Sequence, residues 1–261
     1  MRSLLLRSTA VPAVLIAGPA LAADMAVKVP SAPTPQYSWS GFYLGLNAGG
    51  YAAYSGDPTT TTTCAAGFFS YFACVNVPLV DAAGTGSMSG AGFTGGGQIG
   101  YNWQVGQVVF GVESDFDSFN TKISRKVTAP YATGGLFTIS SSADTNWLFT
   151  ARGRLGWAFN TLLVYATGGL AVTNLAAYNS FNDGVASATW NAQADKTGWA
   201  VGAGLEWAFS KNWTAKVEYL YVSFDSVTAV GVVSTAPYSS GISTTTDLSA
   251  QIARAGVNYK F

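Results

Sequence analysis

The residues best placed to do chemistry are acids and bases that recur at every second position. Glu113, Asp115 and Asp117 alternate in Glu113-Ser114-Asp115-Phe116-Asp117, and Arg152 and Arg154 flank a single glycine. On an extended strand that spacing turns each set to one side. Glu206, Lys216, Glu218 and Arg254 fall on matching positions of three later segments. Paired carboxylates could support acid–base catalysis, but the chain has no histidine, the commonest general base. Five acids against four bases nearly cancel, and structural ion pairing needs no substrate. No catalytic, cofactor-binding or metal-ligating residues are expected.

Two other features could be mistaken for sites. Gly95-Gly96-Gly97 and Gly202-Ala203-Gly204 are not followed by a helix signal, which a phosphate-cradling loop requires. They fit close packing and bending of strands instead. Cys64 and Cys74 are the two cysteines of the chain, share one polar segment and have no histidine to complete a metal site. In an exported protein they are expected to form a disulfide.

Export is indicated by the first residues. Arg2 and Arg7 give a positive start, Leu4 to Ile16 an apolar stretch and Ala20-Leu21-Ala22 a small-residue cleavage site. Residues 1–22 read as a signal peptide. An uncleaved membrane helix is the alternative, but Pro12 interrupts the stretch, which falls short of the ~20 apolar residues needed to span. Residues 23–38, with Pro30, Pro33 and Pro35, read as a proline-rich periplasmic leader, and residues 39–261 as one domain.

Without Arg2 and Arg7 the chain carries 11 basic and 13 acidic residues, which excludes the cationic surface that nucleic acid demands. Only 10% of residues are charged, 14% are aromatic and 30 are glycine, a composition suited to a wall that faces lipid. Leu162 to Val172, the best remaining apolar stretch, is too short to cross as a helix and contains Gly168 and Gly169. Any crossing is therefore by strands.

Period-two alternation marks eight such strands, around 42–48, 93–103, 108–117, 147–159, 162–172, 198–209, 213–221 and 253–261. Short turns at 104–107, 160–161 and 210–212 alternate with long connections near 52–88, 118–143, 173–195 and 226–247. That rhythm predicts an all-β, eight-stranded antiparallel up-and-down transmembrane β-barrel with periplasmic turns and extracellular loops. Hairpin geometry puts opposed residues on one face. Phe209 is expected opposite Trp213, Trp207 opposite Ala215 and Glu206 opposite Lys216. Trp103 is expected opposite Val108, Tyr101 opposite Phe110 and Ile99 opposite Val112. Around Asn160-Thr161, Trp157 meets Val164 and Leu155 meets Ala166, which turns Tyr165 and Thr167 inward.

Outward aromatics fall in two rows: Trp103, Trp157, Phe159, Phe209, Trp213, Tyr259 and Phe261 near the turns, and Phe93, Phe116, Trp147, Trp199 and Tyr221 near the loops. Two interfacial girdles would produce this pattern. A soluble lipocalin-like barrel would instead have to bury both rows in a space too small for them. The inward set is then Glu113, Asp115, Asp117, Glu206 and Glu218 against Arg152, Arg154, Lys216 and Arg254, with Lys260 near the periplasmic rim. Eight strands leave an interior only just wide enough for side chains. The set can plug the lumen as an ion-pair network, line a narrow path for small solutes, or simply be solvated.

Several segments carry a resemblance: Trp39-Ser40-Gly41-Phe42-Tyr43-Leu44-Gly45-Leu46-Asn47-Ala48-Gly49-Gly50, Gly97-Gln98-Ile99-Gly100-Tyr101-Asn102-Trp103, Arg152-Gly153-Arg154-Leu155-Gly156-Trp157, Tyr165-Ala166-Thr167-Gly168-Gly169-Leu170-Ala171, Gly198-Trp199 through Phe209, and Glu218-Tyr219-Leu220-Tyr221. In order and spacing the chain from Trp39 to Phe261 resembles the small porin-family outer-membrane immunogenic proteins of Gram-negative bacteria, relatives of the OmpA-type barrel. The resemblance implies an integral protein of the cell outer membrane, associated with envelope integrity and recognised by host immune systems, without established catalytic residues. It also implies that Val257, Tyr259 and Phe261 signal to the barrel-assembly machinery. Expected partners are outer-membrane lipid and lipopolysaccharide, that machinery and host surface or immune factors. Ser114 stands where the family pattern suggests glycine, and the cysteine pair is not a family-wide feature.

Overall fold

The computed structural model describes residues 37–56, 58–64, 69 and 74–261. The signal peptide (1–22) and all of the leader except Tyr37 and Ser38 lie outside the described residues.

Eight long strands form a closed antiparallel ring: β1 (Gly41–Ser55), β3 (Met88–Val105), β4 (Val108–Pro130), β5 (Leu136–Phe159), β6 (Leu162–Asn182), β7 (Ser187–Ala208), β8 (Trp213–Thr235) and β9 (Tyr238–Lys260). Each pairs with its sequence neighbour, and β1 closes on β9 from Tyr43↔Lys260 to Tyr54↔Ser249. The last residue takes part in closure, since the Phe261 amide donates to the Phe42 carbonyl at 3.0 Å. The first connection adds a short strand, β2 (Thr59–Thr62), on the edge of β9 and a helix, α1 (Val77–Gly84), which alternation did not foreshadow. No described helix is long and apolar enough to cross a membrane.

Register agrees with expectation at two turns and differs at the third. Glu206↔Lys216, Trp207↔Ala215, Trp157↔Val164 and Leu155↔Ala166 pair as the alternation requires. At the first turn, Trp103 pairs with Phe110, Tyr101 with Val112 and Ile99 with Ser114, two residues from the expected partners. The turn is the tight Gly106-Gln107, with Gly106 at φ +62°, a conformation that suits the two-residue hairpin. A slip of two preserves every face, so inward and outward assignments survive.

The connections at 118–143, 173–195 and 226–247 are strands for most of their length, not open loops. A spanning strand needs only ~9–11 residues, yet β4 and β9 have 23 each and β5 has 24. Thr-, Ser- and Val-rich segments keep pairing outside the membrane, past register shifts at Ser118/Thr121, Asp144/Leu148 and Phe224/Val227. Their inward residues Phe137, Ile139, Phe181, Trp190, Val233 and Ile242 bury one another in an extracellular cap, together with Phe69 and Val80 of the first connection.

Candidate functional site: the filled lumen

Alternation fixes what enters the lumen, and register fixes its height. Glu113 on β4 lies opposite Arg152 on β5, and Glu218 on β8 lies opposite Arg254 on β9. Glu206 on β7 lies opposite Lys216 on β8. The five acids and four bases of the inward set, Asp117 included, are all buried and meet in one network.

Two guanidiniums hold its centre. Arg152 Nη2 reaches Glu113 Oε1 at 2.8 Å and Asp115 Oδ2 at 2.6 Å, while Nη1 reaches Glu218 Oε1 at 3.2 Å and Nε donates to Thr150 Oγ1 at 2.9 Å. Arg254 grips Glu218 Oε2 through Nε at 2.9 Å and Nη2 at 2.7 Å, and its Nη1 reaches Asp117 at 2.7 Å. Lys216 Nζ lies 2.9 and 3.0 Å from the two Glu113 oxygens. Arg154 pairs with Glu206 at 2.6 Å, and its guanidinium lies 4.0 Å from the centre of the Tyr165 ring. Charges so deeply buried are tolerable only when nearly every donor and acceptor is used.

The sequence turned Tyr165 inward but did not assign it, or the other neutral residues, to this network. The Tyr43 hydroxyl donates to Glu113 at 2.8 Å and accepts from Arg154 at 3.0 Å, and the Tyr165 hydroxyl donates to Glu218 at 3.0 Å. Thr214 and Asn258 donate to Glu206 Oε1, and Gln98 donates to Asn258. Their inward parity was the available signal. Glycine is required opposite the tyrosines: Gly100 pairs with Tyr43 and Gly204 with Tyr165, and a Cβ at either glycine would strike the facing ring. Removing the side chain across the strand gives each ring room to lie along the lumen wall.

Also missed were two apolar layers that bracket the charges. On the extracellular side Phe119, Leu148, Leu175, Leu220, Val222, Leu248 and Ile252 close the interior, with Leu148 and Leu220 at 0% exposure. On the periplasmic side Trp39, just before β1, folds across the mouth onto Val109, Ala158, Leu163 and Ala208 and is 1% exposed. Its indole Nε1 donates to the Asn160 carbonyl at 3.0 Å, and its backbone amide donates to Gln104 at 2.7 Å. Lys260 Nζ donates to the Ser38 carbonyl and stands 4.4 Å over the Tyr37 ring. Burial of the Tyr37 phenol, with the Glu206 carboxylate adding repulsion, pushes its pKa up to about 12.

The remaining singled-out residues sit elsewhere. Cys64 and Cys74 are joined in a disulfide with Cα atoms 5.7 Å apart, outside the ring in the first connection. Val257, Tyr259 and Phe261 form an outward row at the periplasmic edge, where Tyr259 packs on Trp213 at 5.1 Å and on Phe261 at 5.0 Å. Among the described residues no three His, Cys, Asp or Glu side chains are grouped to hold a metal.

The family described as "Outer membrane protein beta-barrel domain" matches residues 13–261. The chain is 36% identical over 270 residues to the 31 kDa outer-membrane immunogenic protein of Brucella melitensis biotype 1, covering 100% of both. Among solved structures it is similar to the outer membrane protease OmpT of Escherichia coli (7% identity, TM-score 0.47, 88% of this chain and 99% of that one). It is also similar to the outer membrane protein OprG of Pseudomonas aeruginosa (13% identity, TM-score 0.39, 85% of this chain and 96% of that one).

Proposed function

Since the chain belongs to the outer-membrane β-barrel family that includes the immunogenic outer-membrane proteins, and so resides in the outer membrane of a Gram-negative bacterium, we propose that it is a closed, non-catalytic pillar of the envelope that carries a rigid extracellular cap. The observation that carries this reading is the continuity of lumen filling. A charged network whose side chains are 0–3% exposed lies between an apolar layer on the extracellular side and the Trp39 stopper on the periplasmic side. A solute path would need mobile or hydrated charges, whereas these carboxylates face guanidinium, ammonium, hydroxyl or amide groups at hydrogen-bond distance. The absence of histidine from the whole chain supports the non-catalytic half, because acid–base work would fall to carboxylates already engaged by bases.

The cap is the part presented outward, and its projecting hairpins suit recognition by host surface or immune factors. The outward Val257-Tyr259-Phe261 row suits recognition by the assembly machinery. Liposome swelling with small sugars tests the closed reading. Proteoliposomes are expected to swell no faster than protein-free vesicles, and size-dependent swelling would favour the narrow solute channel.

A further inference from the structure

We propose that the outer face of the extracellular sheet carries a binding groove for the anionic core saccharide of the lipopolysaccharide around the barrel. Beyond the register shifts, β4, β5, β6 and β7 continue as a four-stranded sheet, and its outward side has a groove of about 580 Å³. That is within the ~300–1,000 Å³ common for small-molecule sites. Its shape follows from residue size. Ser140, Ser142 and Ser180 form a low floor, and Lys126, Tyr178 and Asn191 stand around it. Register places these residues side by side, with Lys126↔Ser140↔Ser180 in one row and Ser142↔Tyr178↔Asn191 in the next.

The chemistry matches a sugar acid or sugar phosphate. Serine hydroxyls and an amide can donate to and accept from sugar hydroxyls. Tyr178, 46% exposed, offers a ring face for the apolar side of a pyranose. Lys126 is an exposed cation engaged by no acid among the described residues, and so is free to meet a carboxylate or phosphate.

Position selects the source. Lys126 lies ten residues beyond the girdle residue Phe116 on the same strand. At ~3.3 Å per residue and a tilt of ~40° that is about 25 Å of height, well above a headgroup zone only ~5–7 Å deep. The groove opens sideways over the membrane, where the saccharide of the outer leaflet rises from its lipid anchor.

The test titrates refolded full-length protein in detergent with rough-type lipopolysaccharide (lipid A plus core saccharide), with lipid A alone and with free core oligosaccharide. We expect the intact lipopolysaccharide to bind more tightly than lipid A and the free oligosaccharide to compete. The double variant K126E/Y178A should weaken lipopolysaccharide binding about tenfold and leave lipid A binding unchanged. Should that variant fail the heat-modifiable gel assay for folding, Ser140→Leu, which fills the floor without altering charge, gives the same readout. Equal binding of lipopolysaccharide and lipid A, an unaffected folded variant, or equal competition by a neutral oligosaccharide would overturn the proposal.

Discussion

Arg152 and Glu113 stand directly opposite each other on β5 and β4, and their side chains meet at 2.8 Å with almost no exposure to solvent. The pair ties the centre of the lumen to the register of the wall, because Arg152 also reaches Asp115 and Glu218 from the same guanidinium. A slip of one residue in either strand would carry one of the charges to the lipid face.

Replacing Arg152 with methionine therefore leaves three buried carboxylates short of a partner. The expected loss is about 3–5 kcal/mol, the range for breaking a buried pair from one side. It is read as a lower midpoint of urea unfolding in detergent, followed by heat-modifiable gel migration. Adding Glu113→Gln should recover part of that loss by removing one orphaned charge. A midpoint unchanged by R152M would show that water, not Arg152, neutralises the acids.

Trp39→Ala should open the periplasmic mouth alone. Truncating a buried tryptophan costs about 3–5 kcal/mol where the site cannot collapse, and here the loss is confined to the strap over Asn160 and Gln104. Hydrogen exchange should quicken at the Asn160-Thr161 turn and stay slow at Leu148 and Leu220. Uniform acceleration around the ring would contradict a local role.

Reducing the disulfide, or replacing Cys64 and Cys74 with serine, should loosen the first connection without opening the ring. The crosslink spans a sequence separation of 10, and closing a short loop of this kind contributes about 2–4 kcal/mol. Phe69, inside that loop, packs 5.5 Å from Phe181 in the cap. The serine variant should gain protease cleavage between 64 and 74 while its heat-modifiable migration is retained. Loss of the folded band would mean that the disulfide supports the ring itself.

Alkali should release the periplasmic strap late. An ordinary tyrosine titrates near ~10, whereas Tyr37 is raised to about 12 because burial and the Glu206 carboxylate both disfavour its anion. A raised folded pKa contributes stability that is complete below pH ~10 and is lost as pH climbs through about 12. The tyrosinate absorbance difference between the protein and Tyr37→Phe should show that late step. A midpoint near ~10 would place the phenol in open water.

Much of this was legible in the sequence because period-two alternation is a direct record of two solvents, lipid outside and a polar lumen within. Glu113, Arg152, Glu206 and Lys216 declared their direction by parity, and Glu206 and Lys216 also their height by counting from their turn, whereas the count from the Gly106-Gln107 turn was off by two. The extracellular extensions were less legible. Segments such as Thr244-Thr245-Thr246 are polar on both parities, so composition reads as loop even though threonine pairs readily in strands. The apolar layers were hidden for a related reason. Leu148 sits next to the outward Trp147, and Leu220 between the outward Tyr219 and Tyr221, so both apolar runs erase the alternation that would have marked an inward leucine. Trp39 precedes the first strand and carried no periodic signal. Its role follows only from the fold of the strap back across the mouth.

A pillar of this kind requires a lumen closed along its length. Planar-bilayer recording of the refolded barrel tests it most directly. The intact protein should show no steady single-channel steps, and none should appear after removal of the cap hairpins, because the network and the Trp39 stopper remain. Steady steps that survive cap deletion and disappear on substitution of lumen residues such as Arg152 or Glu218 would contradict it.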